Sequence, residues 1–231
     1  MYKSFFLLGN WKANGSLQQV RDFCAEVRSL KVPIGITPIL APPFPYLDMM
    51  KLLLPQGYGL AAQTCQASSF TGQITAPMLK DVGCGWVLIG HGERQESFQE
   101  VRQQILSVQG EGMIPIVCVG EKDPDSVLDV LDQQCGHYFQ DIPEGYWVAY
   151  EPIWAIGSGK TPDGKHLKKV SEYLKQKLHL PLLYGGSVNS TTVFPLLSSQ
   201  LWSGFLVGKA SLKACDWMAL IQQIKNCILL K

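Results

Sequence analysis

Eight short, continuously apolar runs recur along the 231 residues at a spacing of roughly 29, with amphipathic stretches between them. The runs cover residues 5–8, 35–41, 58–63, 86–90, 115–120, 146–150, 181–184 and 204–207. They do not alternate polar with apolar, so they read as parallel strands covered on both faces. Stretches 16–30, 93–109, 126–139, 164–178 and 213–228 show helical periodicity with polar faces. Strand–helix units repeated in this way predict an α/β protein, a single (β/α)8 barrel over residues 1–231. No linker or low-complexity tract divides the chain. A doubly wound open sheet is the alternative that the same alternation permits.

The polar residues that stand out follow these runs directly. Asn10 and Lys12 come after the first, His91 after the fourth, Glu121 after the fifth and Glu151 after the sixth. Gly185-Gly186-Ser187 follows the seventh, and Gly208-Lys209 ends the eighth. In a closed parallel barrel all these strand ends share one face, where active sites are built.

Segment 150–160 is the most specific. Its strand ends in Glu151, and the loop behind is stiff at Pro152 and Trp154 and free at Gly157 and Gly159. That is the layout of a base under a lid; the bland reading is a surface glutamate beside an ordinary turn. Glycine-rich turns after the last two strands offer bare N–H groups to a phosphate, and Lys12 makes the pocket positive. His91, read as opening a helix, would be held neutral by the helix dipole and would donate a hydrogen bond. For His137, His166 and His179 surface or structural roles suffice, and Cys118 reads as a small buried hydrophobe. Glu121 either orients neighbours or caps a turn.

A formal net charge of +1 supplies no field for nucleic acid or an anionic membrane. No apolar run approaches the ~18 residues of a membrane span, and residues 5–8 are too short for a signal-peptide core. Seven cysteines, an odd count without a Cys-x-x-Cys pair, favour reduced thiols and a cytoplasmic setting. The four histidines show no metal-ligand spacing.

Segments 9–15, 89–94, 150–160, 184–187 and 204–212 together resemble the triosephosphate isomerase family, in order and from the first strand to the last. The resemblance implies a TIM barrel that interconverts dihydroxyacetone phosphate and D-glyceraldehyde 3-phosphate through an enediol(ate), with no cofactor and no metal. It implies Glu151 as base, His91 as neutral electrophile, Lys12 and Asn10 on the substrate oxygens and charge, and Glu93 in support from behind. The backbone of Gly157, Ser187, Gly208 and Lys209 would wrap the phosphate of this small substrate. That family is itself the standing illustration of a glutamate base beside a neutral histidine. A homodimer is implied too, through the loop around Phe70-Thr71-Gly72, with Thr71 near the active site of the second copy.

The chain departs from the family pattern in four places. Gly92 stands where a serine is usual, which removes a hydroxyl partner for Glu151, and is read as a tolerable helix N-cap. Lys209 replaces a glycine, and at positive φ it would be strained by about 1 kcal/mol or more. Gln73 replaces a common glutamate facing Arg94 of the second copy, which leaves a neutral hydrogen bond there. The dimer loop is also shorter. A sugar-phosphate epimerase, and a barrel kept for binding with catalysis lost, are the alternative functions.

Overall fold

The computed structural model describes residues 4–68, 70–156 and 161–229. Eight strands form its centre: β1 (Phe5–Asn10), β2 (Ile36–Ala41), β3 (Gly59–Ala62), β4 (Trp86–Ile89), β5 (Ile114–Val119), β6 (Trp147–Tyr150), β7 (Leu182–Tyr184) and β8 (Gly204–Val207). They pair in parallel in sequence order and close into a barrel. Closure is made where Leu7 of β1 stands opposite Phe205 of β8, which excludes the doubly wound sheet.

Eight α-helices lie among the described residues: α1 (Leu17–Val27), α2 (Leu47–Leu53), α3 (Ala76–Asp81), α4 (Phe98–Gly110), α5 (Val127–Phe139), α6 (Gly164–Lys177), α7 (Val193–Ser198) and α8 (Ala214–Leu229). Three of them were not anticipated. With 7, 6 and 6 residues, α2, α3 and α7 are too short for a 3.6-residue period to show. The stretch expected to be helical from residue 93 begins instead at Phe98. Gln95 at φ 52 breaks the path, and Ser97 and Glu100 form a reciprocal capping box at the true start.

Along the strands, side chains alternate between two apolar environments. Leu8, Ile39, Ala61, Leu88, Ile116, Ala149, Leu183 and Leu206 fill the barrel. Their neighbours Leu7, Leu40, Leu60, Val87, Val117, Val148, Leu182 and Phe205 pack under the helices. This double burial is why the runs carry no polar alternation. At the N-terminal end, the Trp147 ring lies 4.0 Å from that of Phe6 and 5.9 Å from that of Trp86, centre to centre. That end is plugged, so the polar strand ends meet at the other.

All seven cysteines are free thiols, five of them buried, in keeping with the reading of reduced thiols. Among the described residues no helix is long and apolar enough to cross a membrane.

The β1–β8 seam depends on one glycine. A Cβ on Gly204 would lie 2.2 Å from the Phe6 carbonyl oxygen, so any side chain there forces the strands apart. Gly204→Ala should therefore lower the unfolding free energy by about 1–3 kcal/mol, as overpacking does. An unchanged urea midpoint would mean that the seam adjusts freely.

Candidate active site

The strand ends open on a cavity of about 750 Å³. Asn10, Lys12, His91, Glu93, Glu151, Ser187, Gly208 and Lys209 all line it. So do Val188, Asn189, Leu206, Leu212 and Asp216, which the sequence had not singled out. Of the other expected residues, Gly157 lies outside the described residues, and Thr71 sits exposed on the loop between β3 and α3.

Glu151 follows directly on Tyr150, the last residue of β6, and is only 3% exposed. Glycines make its room. A Cβ on Gly185 would stand 2.8 Å from Glu151 Cγ, and one on Gly120 would stand 1.8 Å from the Glu151 carbonyl oxygen. Besides the Cys118 thiol, the buried carboxylate has two close partners. Its Oε1 lies 3.1 Å from His91 Nε2, and its Oε2 accepts from the Gly92 backbone N–H at 3.4 Å.

His91 does not open a helix. Residues 91–94 form a turn in which the Arg94 N–H donates to the His91 carbonyl at 2.8 Å, and α4 starts seven residues later. Ser97, rather than Gly92, is the helix cap. The polarising group is therefore one amide, not a helix dipole: the Glu93 N–H donates to His91 Nδ1 at 3.3 Å. An accepting Nδ1 leaves the ring proton on Nε2, pointing at Glu151. Burial disfavours the imidazolium, but the hydrogen bond and the charge of Glu151 outweigh it, and the pKa of His91 is raised above its ordinary value. As long as Glu151 faces it directly, His91 is pulled toward protonation by one neighbour and held neutral by another.

Lys12 has a left-handed backbone, φ 51, which costs a non-glycine residue about 1–3 kcal/mol. Two amide side chains hold it there. Its N–H donates to Asn10 Oδ1 at 2.9 Å, and its carbonyl accepts from Gln63 Nε2 at 2.8 Å. Gln63 also donates to the Ala41 carbonyl at 2.9 Å, so it clamps the ends of β1 and β2 together. The signal for Gln63 was available, since it too stands directly behind a strand. The Lys12 ammonium is paired with Glu93. Glu93 is thus a half-exposed partner at the cavity rather than a support behind it. Partial burial opposes its charge, but the Lys12 hydrogen bond and charge hold Glu93 below the usual carboxylate range.

Beside Lys12, residues Lys209–Ser211 form a 3-10 turn opening at Gly208, where a Cβ would meet Lys12 Cε at 3.9 Å. Lys209 is not among the residues with positive φ, so the anticipated strain is absent and its exposed side chain reaches the cavity. The Ser187 carbonyl accepts from the Thr192 hydroxyl at 2.8 Å, which fixes the other glycine turn. Gly92 faces Ile153: a Cβ there would meet Ile153 Cγ1 at 3.1 Å and Cδ1 at 3.2 Å. The side chain of Ile153 already fills the space that a residue larger than glycine would need.

In the loop that carries Thr71, Phe70 is 75% exposed. The Gln73 side chain bonds Ser68 of the same loop, and Arg94 pairs with Glu96 at 2.8 Å. Both ends of the contact expected between two copies are thus engaged within one chain.

The family model described as triosephosphate isomerase matches residues 5–224. The triosephosphate isomerase of Wolbachia pipientis wMel is 36% identical over 234 residues, covering 96% of this chain and 95% of that protein. The chloroplastic triosephosphate isomerase of Fragaria ananassa is 32% identical over 245 residues, covering 96% of this chain and 78% of that protein. Matches that run the length of the barrel and include the ends of its strands carry one conclusion: the chain belongs to the triosephosphate isomerase family.

Proposed function

We propose that this chain interconverts dihydroxyacetone phosphate and D-glyceraldehyde 3-phosphate. The observation that carries the reading is the buried pair Glu151–His91, 3.1 Å apart on a cavity that two glycine turns and Lys209 also line. Glu151 takes a proton from one substrate carbon and returns it to the adjacent one, so base and substrate end with the protons they began with. His91 donates from Nε2 to the substrate oxygens as negative charge grows on them. Substrate entering between the two side chains removes the contact that raises the His91 pKa, which leaves the neutral form set by the Glu93 amide. Lys12 then exchanges Glu93 for the enediolate and phosphate charges. The amides of Ser187, Gly208 and Lys209 hold the phosphate, and Gly157 completes that grip from the lid. Excluding water keeps the intermediate from losing phosphate. A second copy docks through the exposed Phe70 and Thr71, which makes the working form a homodimer.

The direct test is the rate of D-glyceraldehyde 3-phosphate isomerisation by purified protein in chelator. Sustained turnover supports the reading, and none from folded protein sinks it. Glu151→Gln should lower kcat by ~10²–10⁴-fold, the usual contribution of a general base. The same variant removes the anion that raises the His91 pKa, so the imidazole should titrate lower than in the wild type by nitrogen-15 NMR. The sign follows for stability as well. A raised His91 pKa contributes stability fully present below its unfolded value of about 6.5 and lost as pH rises through the folded value. Glu151→Gln should abolish that pH dependence; an unmoved His91 titration would separate the two residues.

Gly92→Ser should lower the thermal midpoint and turnover together, because its Cβ pushes Ile153 and the lid stem next to Glu151. Adding Ile153→Val, which removes Cδ1 but keeps Cγ1, should recover part of the loss, with a coupling of about 0.5–2 kcal/mol in the double-mutant cycle. Strict additivity would mean that the two positions do not share that space.

A further inference from the structure

Glu121 sits at the end of β5, on the far side of Tyr150 from the cavity, and takes no part in the scheme above. It is 1% exposed, and its Oε1 accepts two hydrogen bonds, from Trp154 Nε1 at 2.7 Å and from the Tyr150 hydroxyl at 2.9 Å. The Tyr150 hydroxyl also lies 2.7 Å from His166 Nε2. The rings of Trp154 and His166 meet edge-on, 5.9 Å between centres. Trp154 belongs to the short turn Ile153–Ala155 that follows Glu151, and His166 to the first turn of α6, where Asp163 Oδ1 accepts its backbone N–H at 2.7 Å. Two segments that leave the barrel face at different points are thus tied to one buried carboxylate.

Counting protons gives this network a direction. An indole N–H only donates, so Glu121 Oε1 is an acceptor toward Trp154. Tyr150 has one hydroxyl proton and two neighbours at hydrogen-bond distance. If that proton goes to Glu121, the second contact needs a proton on His166 Nε2. With the His166 proton on Nδ1 alone, Nε2 would draw the tyrosine proton away. Glu121 would then lose the tyrosine donor and, because His166 Nε2 also lies 3.5 Å from its Oε1, would face the lone pair of that ring, with Oε2 already buried and unpartnered. Burial holds the pKa of Glu121 above the ordinary carboxylate value, and the donors Trp154 and Tyr150 offset only part of that rise. Burial, and then Glu121 itself, keep Tyr150 protonated and available as a donor. His166 is 15% exposed through its side chain, so it reaches water.

We propose that His166 is a positioning residue: by donating from Nε2 to Tyr150 it turns the tyrosine proton onto Glu121 and holds the Trp154 stem beside Glu151. Its effect on turnover rests on the isomerase reading, whereas its effect on Trp154 does not. In the wild type at pH 8, nitrogen-15 spectra should show the neutral His166 ring protonated on Nε2; a proton on Nδ1 alone overturns the proposal without any substitution. The Trp154 indole proton, assigned by its loss in Trp154→Phe, should move upfield in His166→Leu and stay in place in His166→Gln, whose amide can donate to Tyr150. In parallel, kcat/KM should fall about 3- to 10-fold in His166→Leu, as one net hydrogen bond is worth, and recover in His166→Gln. An indole proton that ignores His166→Leu, or that moves equally in both variants, refutes the donor role. A wild type without turnover whose indole proton still responds as described refutes the isomerase reading and leaves the network standing.

Discussion

Closure between β8 and β1 is the constraint on which the rest depends. An open parallel sheet of the same strands would put Asn10 and Lys12 at one place in the sheet and Gly208 and Lys209 at another. Joining the seam brings both to the rim of a single cavity with His91 and Glu151. The seam in turn requires Gly204, because the Phe6 carbonyl occupies the place of a β-carbon. The aromatic plug of Phe6, Trp86 and Trp147 fills the other end. Polar groups therefore collect where water and substrate enter, and the apolar layers below hold them in register.

Inside that rim the energetics turn on one buried carboxylate. Glu151 is almost fully removed from water, so its charge must be met by nearby donors. The fold provides the His91 imidazole, the Gly92 amide and the Cys118 thiol, and none of these is a fixed cation. Lys12 supplies positive charge to the same cavity but is occupied by Glu93 on its more open side. The strained backbone of Lys12, clamped by Asn10 and Gln63, keeps it in that position.

The strands were legible because double burial writes a continuous apolar run, and the candidate residues that line the cavity could be placed by counting from the end of one. What failed had local causes. Helices under two turns leave no period, so α2, α3 and α7 were missed. His91 was assigned to a helix because 93–109 keeps helical periodicity, although Ser97 and Glu100 already spelled a capping box further on. Nothing in the spacing of Gly92 and Ile153, or of Glu121, Tyr150 and His166, announces that they touch. Those contacts exist only once parallel strands bring residues from different units side by side.

The departures from the family pattern fall beside Glu151 and His91 rather than on them, and the geometry shows how the arrangement accommodates them. Losing a side chain at position 92 leaves its amide on Glu151, and Ile153 takes up the vacated volume. A lysine at position 209 keeps a backbone that glycine is not needed to adopt, so the turn at Gly208 survives the change. Each substitution alters what surrounds the reacting groups while the backbone donors keep their places. Backbone donors depend on the closed barrel, not on the identity of the residue that carries them. A fold that presents its chemistry through strand ends and main-chain amides can therefore vary the side chains around them and retain the arrangement.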